Sequence, residues 1–399
     1  MESHLLERST PTSPTPAGSV RIARIEVTVL GIDLARPRTI SKGVSPSGES
    51  IRPVLVRIES TDGAVGYGQD RPVIPWLGET TASIVSAVRH HYGPALLGAD
   101  AAQRAHLARR LPEVLPGNSI ARNILDMALH DLVGRSYGVP VHALLGGSRR
   151  EIPLNWSVSL GPPAEMVQDA VTATQRYGLR LVCLKSGGPD RWRTDVETFR
   201  AVRVAVGPDV EIAMDPNEGY DVATTLRVAR ALADDHVHYF EQPLVRSDLH
   251  GSRIVRGEGV PVMVDEGAIT PDAVGRLVAA GACDGIVLKL WKSGGYAEAL
   301  ECATLADRAG LDTTLGGVVV GSVLGAAASA HLYSAAPRPP LGAEFVLGLN
   351  VTEQDPVCAL PDDLVPRDGV VRAPAAPGLG VEVDKAAVER LAVATVDVR

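Results

Sequence analysis

The chain has 399 residues, of which 45% are apolar and 22% are charged, and its formal net charge at pH 7 is −8. This length and balance predict a globular protein made of one large barrel with an accessory domain, or of two domains. The negative charge argues against a nucleic-acid or membrane partner. The 4 cysteines lack CxxC spacing, which argues against zinc and redox motifs and favours a cytoplasmic location.

The N-terminal part of the sequence predicts a leader followed by an α+β domain. Residues 1–18 are rich in Ser, Thr and Pro and lack the apolar segment of a secretory signal, so we expect a disordered leader. Apolar and polar residues alternate over 20–68, which predicts antiparallel strands. Helical periodicity follows over 79–150, with an apolar stripe along one helix. Together these patterns predict an α+β capping domain over 19–150.

From residue 151 onward, short apolar runs alternate with longer helical segments. The runs are NWSVSL, LVCLK, VEIAMD, VHYFE, VPVMVDE, DGIVLK, GLDTTLGG and LGAEFVLG. Such alternation predicts parallel β/α units, and eight strands close into a barrel, here over 151–364. One connecting helix has clear signals, with Thr270 as N-cap and Gly281 as terminator. The segment 365–399 is expected to return to the capping domain.

Five consecutive barrel strands each end in a charged residue. These residues are Lys185, Asp215, Glu241, Asp265 and Lys289. In such barrels the C-terminal strand ends form the mouth of the active site, so the five side chains are expected to converge there. A single charge after a strand reflects ordinary loop polarity, but five equivalent positions favour a shared site.

The residue types at these strand ends predict proton-transfer chemistry. Three carboxylates on consecutive strands suit a hard divalent cation, Mg²⁺ first and Mn²⁺ as the alternative. Lys185 and Lys289 follow strands two and six, on opposite walls, so a substrate carboxylate on the cation would present its α-carbon to both amines. Removal of the α-proton gives an enediolate, which the cation stabilises. A lysine base needs its pKa lowered from about 10.4 to roughly 7–8.

With these residues in place, the chain resembles the enolase superfamily, specifically its muconate lactonizing enzyme subgroup (mandelate racemase/muconate lactonizing enzyme-like). The similarity extends from about residue 20 to 390 and rests on LKSGG, MDPNEG, FEQPL, MVDEG, LKLWKSGG and DGVVRAPAAPGLGVEVD. It implies an α/β barrel of the (β/α)₇β modified TIM type with an α+β N-terminal capping domain. It also implies one Mg²⁺ per active site and a homo-oligomer, either a dimer or an octamer.

The resemblance also implies roles for individual residues. Metal ligation falls to Asp215, Glu241 and Asp265, and proton transfer to the pair Lys185 and Lys289. Two further residues are implied to contact the substrate or to support the metal ligands, namely Asn217 and Glu266.

Two positions depart from the subgroup's pattern. Cys183 occupies the first position of the usual K-x-K on strand two, so a cation that would help to lower the pKa of Lys185 is missing. Gly321 occupies the place of an acid found in GGTMLEGG of true muconate cycloisomerases, which argues against lactonisation.

Several functions remain open at this stage. The first is a racemase or epimerase of an amino-acid derivative, such as an N-acyl amino acid, a dipeptide or a proline betaine. The alternatives are a muconate-type cycloisomerase, a hydroxy-acid or hydroxyproline dehydratase, and, remotely, a non-catalytic binding protein. In each enzymatic case the partner is a small-molecule carboxylate.

Substrate choice is expected to depend on the capping domain. A Gly/Ser/Pro-rich lid is predicted at 36–53, and a second wall at 69–79 that includes Trp76. Trp156 and Trp291 are further candidates for the lining of the pocket, and Arg52 and Arg71 are candidates to pair with a second substrate carboxylate.

Overall fold

The computed structural model describes residues 18–32, 39–44, 52–188, 190–317, 322–344 and 355–398. The predicted leader lies outside these ranges except for its last residue. Most of the predicted lid also lies outside them, as does Gly321.

The N-terminal region consists of an antiparallel sheet backed by helices. Its strands are β1 (Ile22–Leu30), β2 (Thr39–Ile40), β3 (Gly43–Val44), β4 (Val54–Ser60) and β5 (Val65–Asp70). Its helices are α1 (Ile74–Leu77), α2 (Thr81–Ala87), α3 (Gly93–Leu96), α4 (Arg104–Val114), α5 (Ser119–Tyr137) and α6 (Val141–Leu144), with a π-helical turn at Val88–Tyr92 and a 3₁₀ turn at Ala101–Gln103. In the sheet β4 lies between β1 and β5, and both pairs are antiparallel.

Helix α5 is buried on all sides, whereas the sequence predicted a single apolar stripe. One side lies on β5, where a β-carbon at Gly66 or Gly68 would stand 2.2 or 2.0 Å from a backbone oxygen of the helix. These two glycines therefore allow the helix to approach the sheet. The other side faces the barrel, where Asp126 accepts a 2.7 Å hydrogen bond from the backbone N–H of Tyr296. The helix thus joins the two regions.

Eight parallel strands form the second region. After the short strand β6 (Glu151–Pro153), which lies outside this sheet, seven of them follow as parallel neighbours in chain order: β7 (Asn155–Val158), β8 (Leu181–Lys185), β9 (Glu211–Asp215), β10 (Val237–Glu241), β11 (Val262–Val264), β12 (Gly285–Leu288) and β13 (Asp312–Leu315). The helices are α7 (Pro163–Tyr177), α8 (Trp192–Val206), α9 (Val222–Ala231), α10 (Leu249–Gly257), α11 (Pro271–Ala280), α12 (Leu290–Ser293), α13 (Tyr296–Arg308) and α14 (Val323–Ala335). The eighth parallel strand is the short segment 341–344, in which Ala343 bridges both Leu315 and Leu154 and so closes the ring. Because seven of the eight strands are followed by helices, the fold is the predicted (β/α)₇β modified TIM barrel.

The helix signals read from the sequence of α11 are confirmed. The Thr270 hydroxyl accepts a 3.2 Å hydrogen bond from the N–H of Ala273, and Pro271 is the first helical residue. Gly281 ends the helix with a left-handed backbone. These signals fix where the chain leaves β11 and returns to β12.

The C-terminal segment contributes to both regions. It contains β14 (Val370–Arg372), α15 (Lys385–Leu391) and β15 (Ala392–Asp397), with a 3₁₀ turn at Asp362–Leu364. Strand β14 pairs with β6, and β15 pairs antiparallel with β1, so that Glu26 is opposite Asp397. The domain limits 19–150, 151–364 and 365–399 stay predictions. Of the helices in the described ranges, none combines the length and apolar content that a bilayer crossing needs.

Candidate active site

The five charged residues singled out from the sequence meet at the C-terminal end of the barrel. Lys185 and Asp215 end neighbouring strands and are register partners, and Glu241 ends the next strand. Asp265 and Lys289 directly follow β11 and β12. All five are buried, with exposed fractions from 0 to 8%. The structure therefore brings this set together in one enclosed space.

Lys185 is paired with Asp215. Its ammonium donates to a carboxylate oxygen of that residue, and both side chains are buried. Burial lowers the pKa of Lys185, but the negative charges of Asp215 and Glu241 outweigh it and hold the pKa well above its ordinary value. In this arrangement the amine is a cation, rather than the neutral base that the chemistry requires.

Lys289 and Lys292 share the carboxylate of Asp265. The Lys289 ammonium donates to one oxygen, and Lys292 Nζ donates to the other at 2.7 Å. Burial raises the pKa of Asp265, but the two ammonium groups outweigh it and hold the pKa well below its usual range. Burial likewise lowers the pKa of Lys289, and Asp265 raises it above its ordinary value. Each predicted base is thus kept protonated by a predicted metal ligand, Lys185 by Asp215 and Lys289 by Asp265.

Lys292 is a residue that the sequence reasoning missed. Its Nζ also donates to two backbone carbonyl oxygens, those of Asp265 at 2.6 Å and Val287 at 2.7 Å. The three donors of the ammonium are therefore all engaged. Burial lowers its pKa, as does the charge of Lys289, whereas Asp265 raises it. The available signal was the second lysine of LKLWKSGG, three residues after Lys289 on the short helix α12.

Glu241 contrasts with the other two predicted ligands because no lysine contacts it. The Cys183 Sγ lies 4.0 Å from its Oε2. Burial raises the pKa of Glu241 well above its usual value, and the charge of Asp215 adds to the effect, while Lys185 opposes it.

A fourth acid, Glu344, joins the cluster from the segment that closes the barrel. Its backbone N–H donates to the carbonyl of Leu315 at 2.8 Å, which fixes it at the end of the eighth strand. Burial raises its pKa, while the charges of Lys185 and Lys289 lower it. The sequence reasoning named the strand LGAEFVLG but passed over its acid, although the rule of a charge at each strand end applies to it as well.

Asn217 and Glu266 lie behind the ligand acids. The Asn217 N–H donates to Asp215 at 2.8 Å, and its side-chain amide donates to Glu266 at 3.1 Å. The same Glu266 oxygen accepts a 3.0 Å bond from the indole N–H of Trp76, which comes from the capping region. Burial, with the charges of Asp265 and Asp215, raises the pKa of Glu266 to about 7. These bonds connect the second predicted wall to the charged cluster.

The other predicted lining residues have different surroundings. Trp156 is buried and stacks on Tyr177 with ring centroids 5.5 Å apart, so it packs between β7 and α7 and does not line the mouth. Trp291 packs into the core of the N-terminal region, and its ring centroid lies 5.7 Å from Lys289 Nζ.

Arg71 is 5% exposed, and its Nε and Nη1 have no partner among the described residues. A β-carbon at Gly31 would lie 2.9 Å from an Arg52 Nη, so Arg52 reaches the N-terminal sheet.

The chemistry of the cluster fits a divalent cation. The described residues of the mouth include five acids (Asp215, Glu241, Asp265, Glu266 and Glu344) and three lysines, which leaves a formal excess of two negative charges. Two buried oxygens, Asn217 Oδ1 and Glu266 Oε2, have no hydrogen-bond partner in the described ranges. Carboxylate and amide oxygens are the ligands that Mg²⁺ and Mn²⁺ prefer.

The predicted ligand trio is not the tightest group of donors. Within the described ranges, the three residues whose donor atoms lie within 4.8 Å of one another are Cys183, Glu241 and Glu344. Asp215 and Asp265 instead turn toward the lysine ammonium groups. Ligation by Asp215, Glu241 and Asp265 therefore stays a prediction.

Comparisons with known proteins agree with this architecture. Residues 24–146 match the model of the mandelate racemase / muconate lactonizing enzyme N-terminal domain, and residues 165–387 match that of the enolase C-terminal domain-like family. A muconate cycloisomerase 1 of Rhodococcus opacus is 31% identical over 92% of this chain and 97% of its own length. An L-Ala-D/L-Glu epimerase of Clostridium acetobutylicum is 30% identical over 77% of this chain and 84% of its own. A solved dipeptide epimerase from Cytophaga hutchinsonii, complexed with Mg and the dipeptide D-Ala-L-Val, superposes with a TM-score of 0.86 at 27% identity, covering 95% of this chain and 100% of its own.

Proposed function

The chain belongs to the enolase superfamily, in its mandelate racemase / muconate lactonizing enzyme group, and is an isomerase; on this premise we propose that it racemises or epimerises an amino-acid derivative with Mg²⁺. The substrate would be an N-acyl amino acid, a dipeptide or a proline betaine, each of which has a proton on the carbon next to a carboxylate. The epimerase relatives support the dipeptide among these.

The observation that carries the proposal is the placement of the two lysines. Strands β8 and β12 are four apart in a ring of eight, so Lys185 and Lys289 extend from opposite walls. Both lower the pKa of Glu344 through their charge, which indicates that they face one space. A substrate α-carbon held in that space would present one face to each amine. Removal of the proton by one lysine and return by the other inverts the configuration.

The acids on the wall between the lysines are proposed to hold the metal ion and, through it, the substrate carboxylate. Asp215, Glu241 and Asp265 would ligate Mg²⁺, with Mn²⁺ as the alternative ion. The bound cation would supply positive charge beside the carboxylate, where negative charge develops as the α-proton leaves.

The same ligation offers a way to produce a neutral lysine. Asp215 and Asp265 raise the pKa values of Lys185 and Lys289 in the arrangement described above. Once these carboxylates ligate a cation, they no longer balance the ammonium charges, and burial then lowers the pKa of each amine. In the usual K-x-K pair a second lysine helps to lower the pKa of the base, but Cys183 adds no positive charge beside Lys185. The pKa of Lys185 therefore depends more strongly on ligation of Asp215 by the cation.

A muconate-type cycloisomerase is the second candidate, because the Rhodococcus relative matches 97% of its own length. That reaction needs one base and one acid, so it does not require both lysines. Gly321, the position that argues against it, lies outside the described residues. A homo-oligomeric state and a cytoplasmic location stay predictions.

The test is exchange of the α-proton in D₂O with Mg²⁺, using both enantiomers of N-acyl amino acids, dipeptides and betaines. We expect deuterium to enter each enantiomer and the other enantiomer to form. Lys185→Ala and Lys289→Ala should each abolish racemisation, whereas Lys385→Ala, an exposed lysine at the start of α15, should not. Exchange that continues in the double variant, or lactone formation from muconate without any exchange, would exclude the racemase.

A further inference from the structure

A second set of donor atoms lies next to the proposed magnesium site. Cys183 is fully buried and occupies the same side of β8 as Lys185, two residues further into the barrel. Its Sγ is 4.0 Å from Glu241 Oε2, and donor atoms of Cys183, Glu241 and Glu344 all lie within 4.8 Å of one another. The three residues come from three different strands, so the barrel itself holds them together.

An independent observation points to a ligand in the same place. Tyr239 is 3% exposed, and its hydroxyl has no hydrogen-bond partner among the described residues. It lies two residues before Glu241 on β10, on the same side of the strand, and it packs in one cluster with Cys183. A buried hydroxyl without a partner is energetically unfavourable, so its presence here calls for a partner. Ordinary packing of apolar side chains does not explain a phenol and a thiol facing two acids.

We propose that Cys183, Glu241 and Glu344 form a second cation site, selective for thiophilic divalent ions such as Zn²⁺ and Cd²⁺. A sulfur and two carboxylate oxygens suit such an ion, whereas Mg²⁺ prefers oxygen ligands in an octahedron. A tetrahedral ion with bonds of about 2.0 to 2.3 Å places its donors about 3.5 Å apart. In the structure the three donors lie within 4.8 Å of one another, so they would move closer together around such an ion, and the unpartnered Tyr239 hydroxyl is the candidate for a further contact.

The two sites share Glu241, and this part of the inference rests on the proposed function. A carboxylate that ligates a thiophilic ion beside Cys183 is drawn away from the proposed magnesium position. Binding at the two sites is therefore expected to be mutually antagonistic. Cys183, where the subgroup usually has lysine, would make this enzyme sensitive to thiophilic ions.

The test is a titration of the purified, metal-free full-length chain with Cd²⁺, followed by the ultraviolet charge-transfer absorption of a Cd²⁺–thiolate bond. We expect one equivalent to bind with this band in the wild type and in Cys302→Ser, a buried control cysteine on α13. The band should be absent in Cys183→Ser and in Cys183→Ala, each checked for native folding by circular dichroism. A band that survives in either variant, or no band in the wild type, would overturn the site.

A second arm tests the carboxylates. Glu344→Gln is expected to raise the Kd for Cd²⁺ by at least about tenfold, as loss of a metal-supporting group does elsewhere. An unchanged Kd would remove Glu344 and overturn the three-residue site. Excess Mg²⁺ should raise the apparent Kd for Cd²⁺. If it does not while the thiolate band remains, the Cys183 site stands and the proposed magnesium ligation by Glu241 fails.

Discussion

Gly316 and Lys289 approach each other so closely that a β-carbon at position 316 would lie 2.1 Å from Lys289 Cε. Gly316 follows β13, the strand next to β12, so the two residues face each other from neighbouring strand ends. Because glycine has no side chain, position 316 leaves the space through which the lysine reaches the cavity.

Replacing Gly316 with alanine is therefore expected to displace Lys289. A misplacement of about 1 Å at a reacting group can cost about 100-fold in rate. We expect kcat for α-proton exchange to fall by about that factor. The control is Gly275→Ala on α11, where an added β-carbon meets nothing within 4 Å. Equal activities of the two variants would show that Lys289 tolerates the added methyl group.

Loss of Lys292 is expected to weaken both the fold and the metal site. Lys292→Met removes the donor to Asp265 Oδ1 and to the Val287 carbonyl, so that Asp265 keeps only Lys289, and breaking a buried ion pair costs about 3 kcal/mol. Denaturant unfolding should show this loss of stability, and calorimetry should show weaker Mg²⁺ binding because Asp265 is no longer oriented. Lys385→Met, at an exposed position, is the control. A stable variant with unchanged Mg²⁺ affinity would refute the positioning role of Lys292.

The contact between Trp76 and Glu266 predicts how the capping region affects substrate binding. Trp76→Phe keeps an aromatic ring but removes the N–H that donates to Glu266 at 3.0 Å. A hydrogen bond to a charged group contributes about 1.5 kcal/mol or more, so KM should rise roughly tenfold while kcat changes less. Trp192→Phe, on α8, serves as the matched control. A rise in KM in both variants alike would mean that the Trp76 bond has no specific role.

His331 predicts a loss of stability in acid. Its Nδ1 accepts from the backbone N–H of His142 at 3.1 Å, and its Nε2 lies 3.3 Å from the carbonyl of Leu379. Burial, with the charge that His142 would carry, lowers the pKa of His331 to about 3. The unfolded chain takes up this proton near pH 6.5, whereas the folded protein does not. The stabilisation is therefore complete above about pH 6.5 and is lost as the pH falls toward 3.

His331→Gln should reduce this dependence. Between pH 6.5 and 4 the free energy of unfolding of the wild type should fall by up to about 1.4 kcal/mol per pH unit more than that of the variant. The measurement is denaturant unfolding at several pH values, with His106→Gln, at an exposed position, as the control. Parallel slopes for all three proteins would contradict the assignment.

The barrel and its charged mouth were predictable because the relevant rule is local. A run of apolar residues ending in an acid or a lysine fixes both the strand and the place of its last side chain, as in VHYFE before Gln242. The caps of α11 are equally local, since Thr270 contacts a backbone N–H only three residues away. Repetition of the same unit then determines that the strand ends meet.

The partners of each charge were not predictable, because they depend on contacts between distant segments. The expectation of lysines with lowered pKa values omitted the ion pairs with Asp215 and Asp265, which reverse the effect of burial. Trp156 was expected to line the pocket because it lies on a barrel strand, yet it stacks on Tyr177 of α7. Glu344 is different, because its strand LGAEFVLG was recognised and the rule of a charge at the strand end applied, yet its acid was passed over.

The pairing of β15 with β1 joins nearly the last residues of the chain to nearly the first. During synthesis on the ribosome, β1 emerges early and has no neighbour on one edge until translation has passed through every barrel unit. Many multidomain chains complete their N-terminal unit first. The sheet is therefore completed only after residues 392–397 have been synthesised, so a product that stalls before them leaves the edge of β1 open to aggregation.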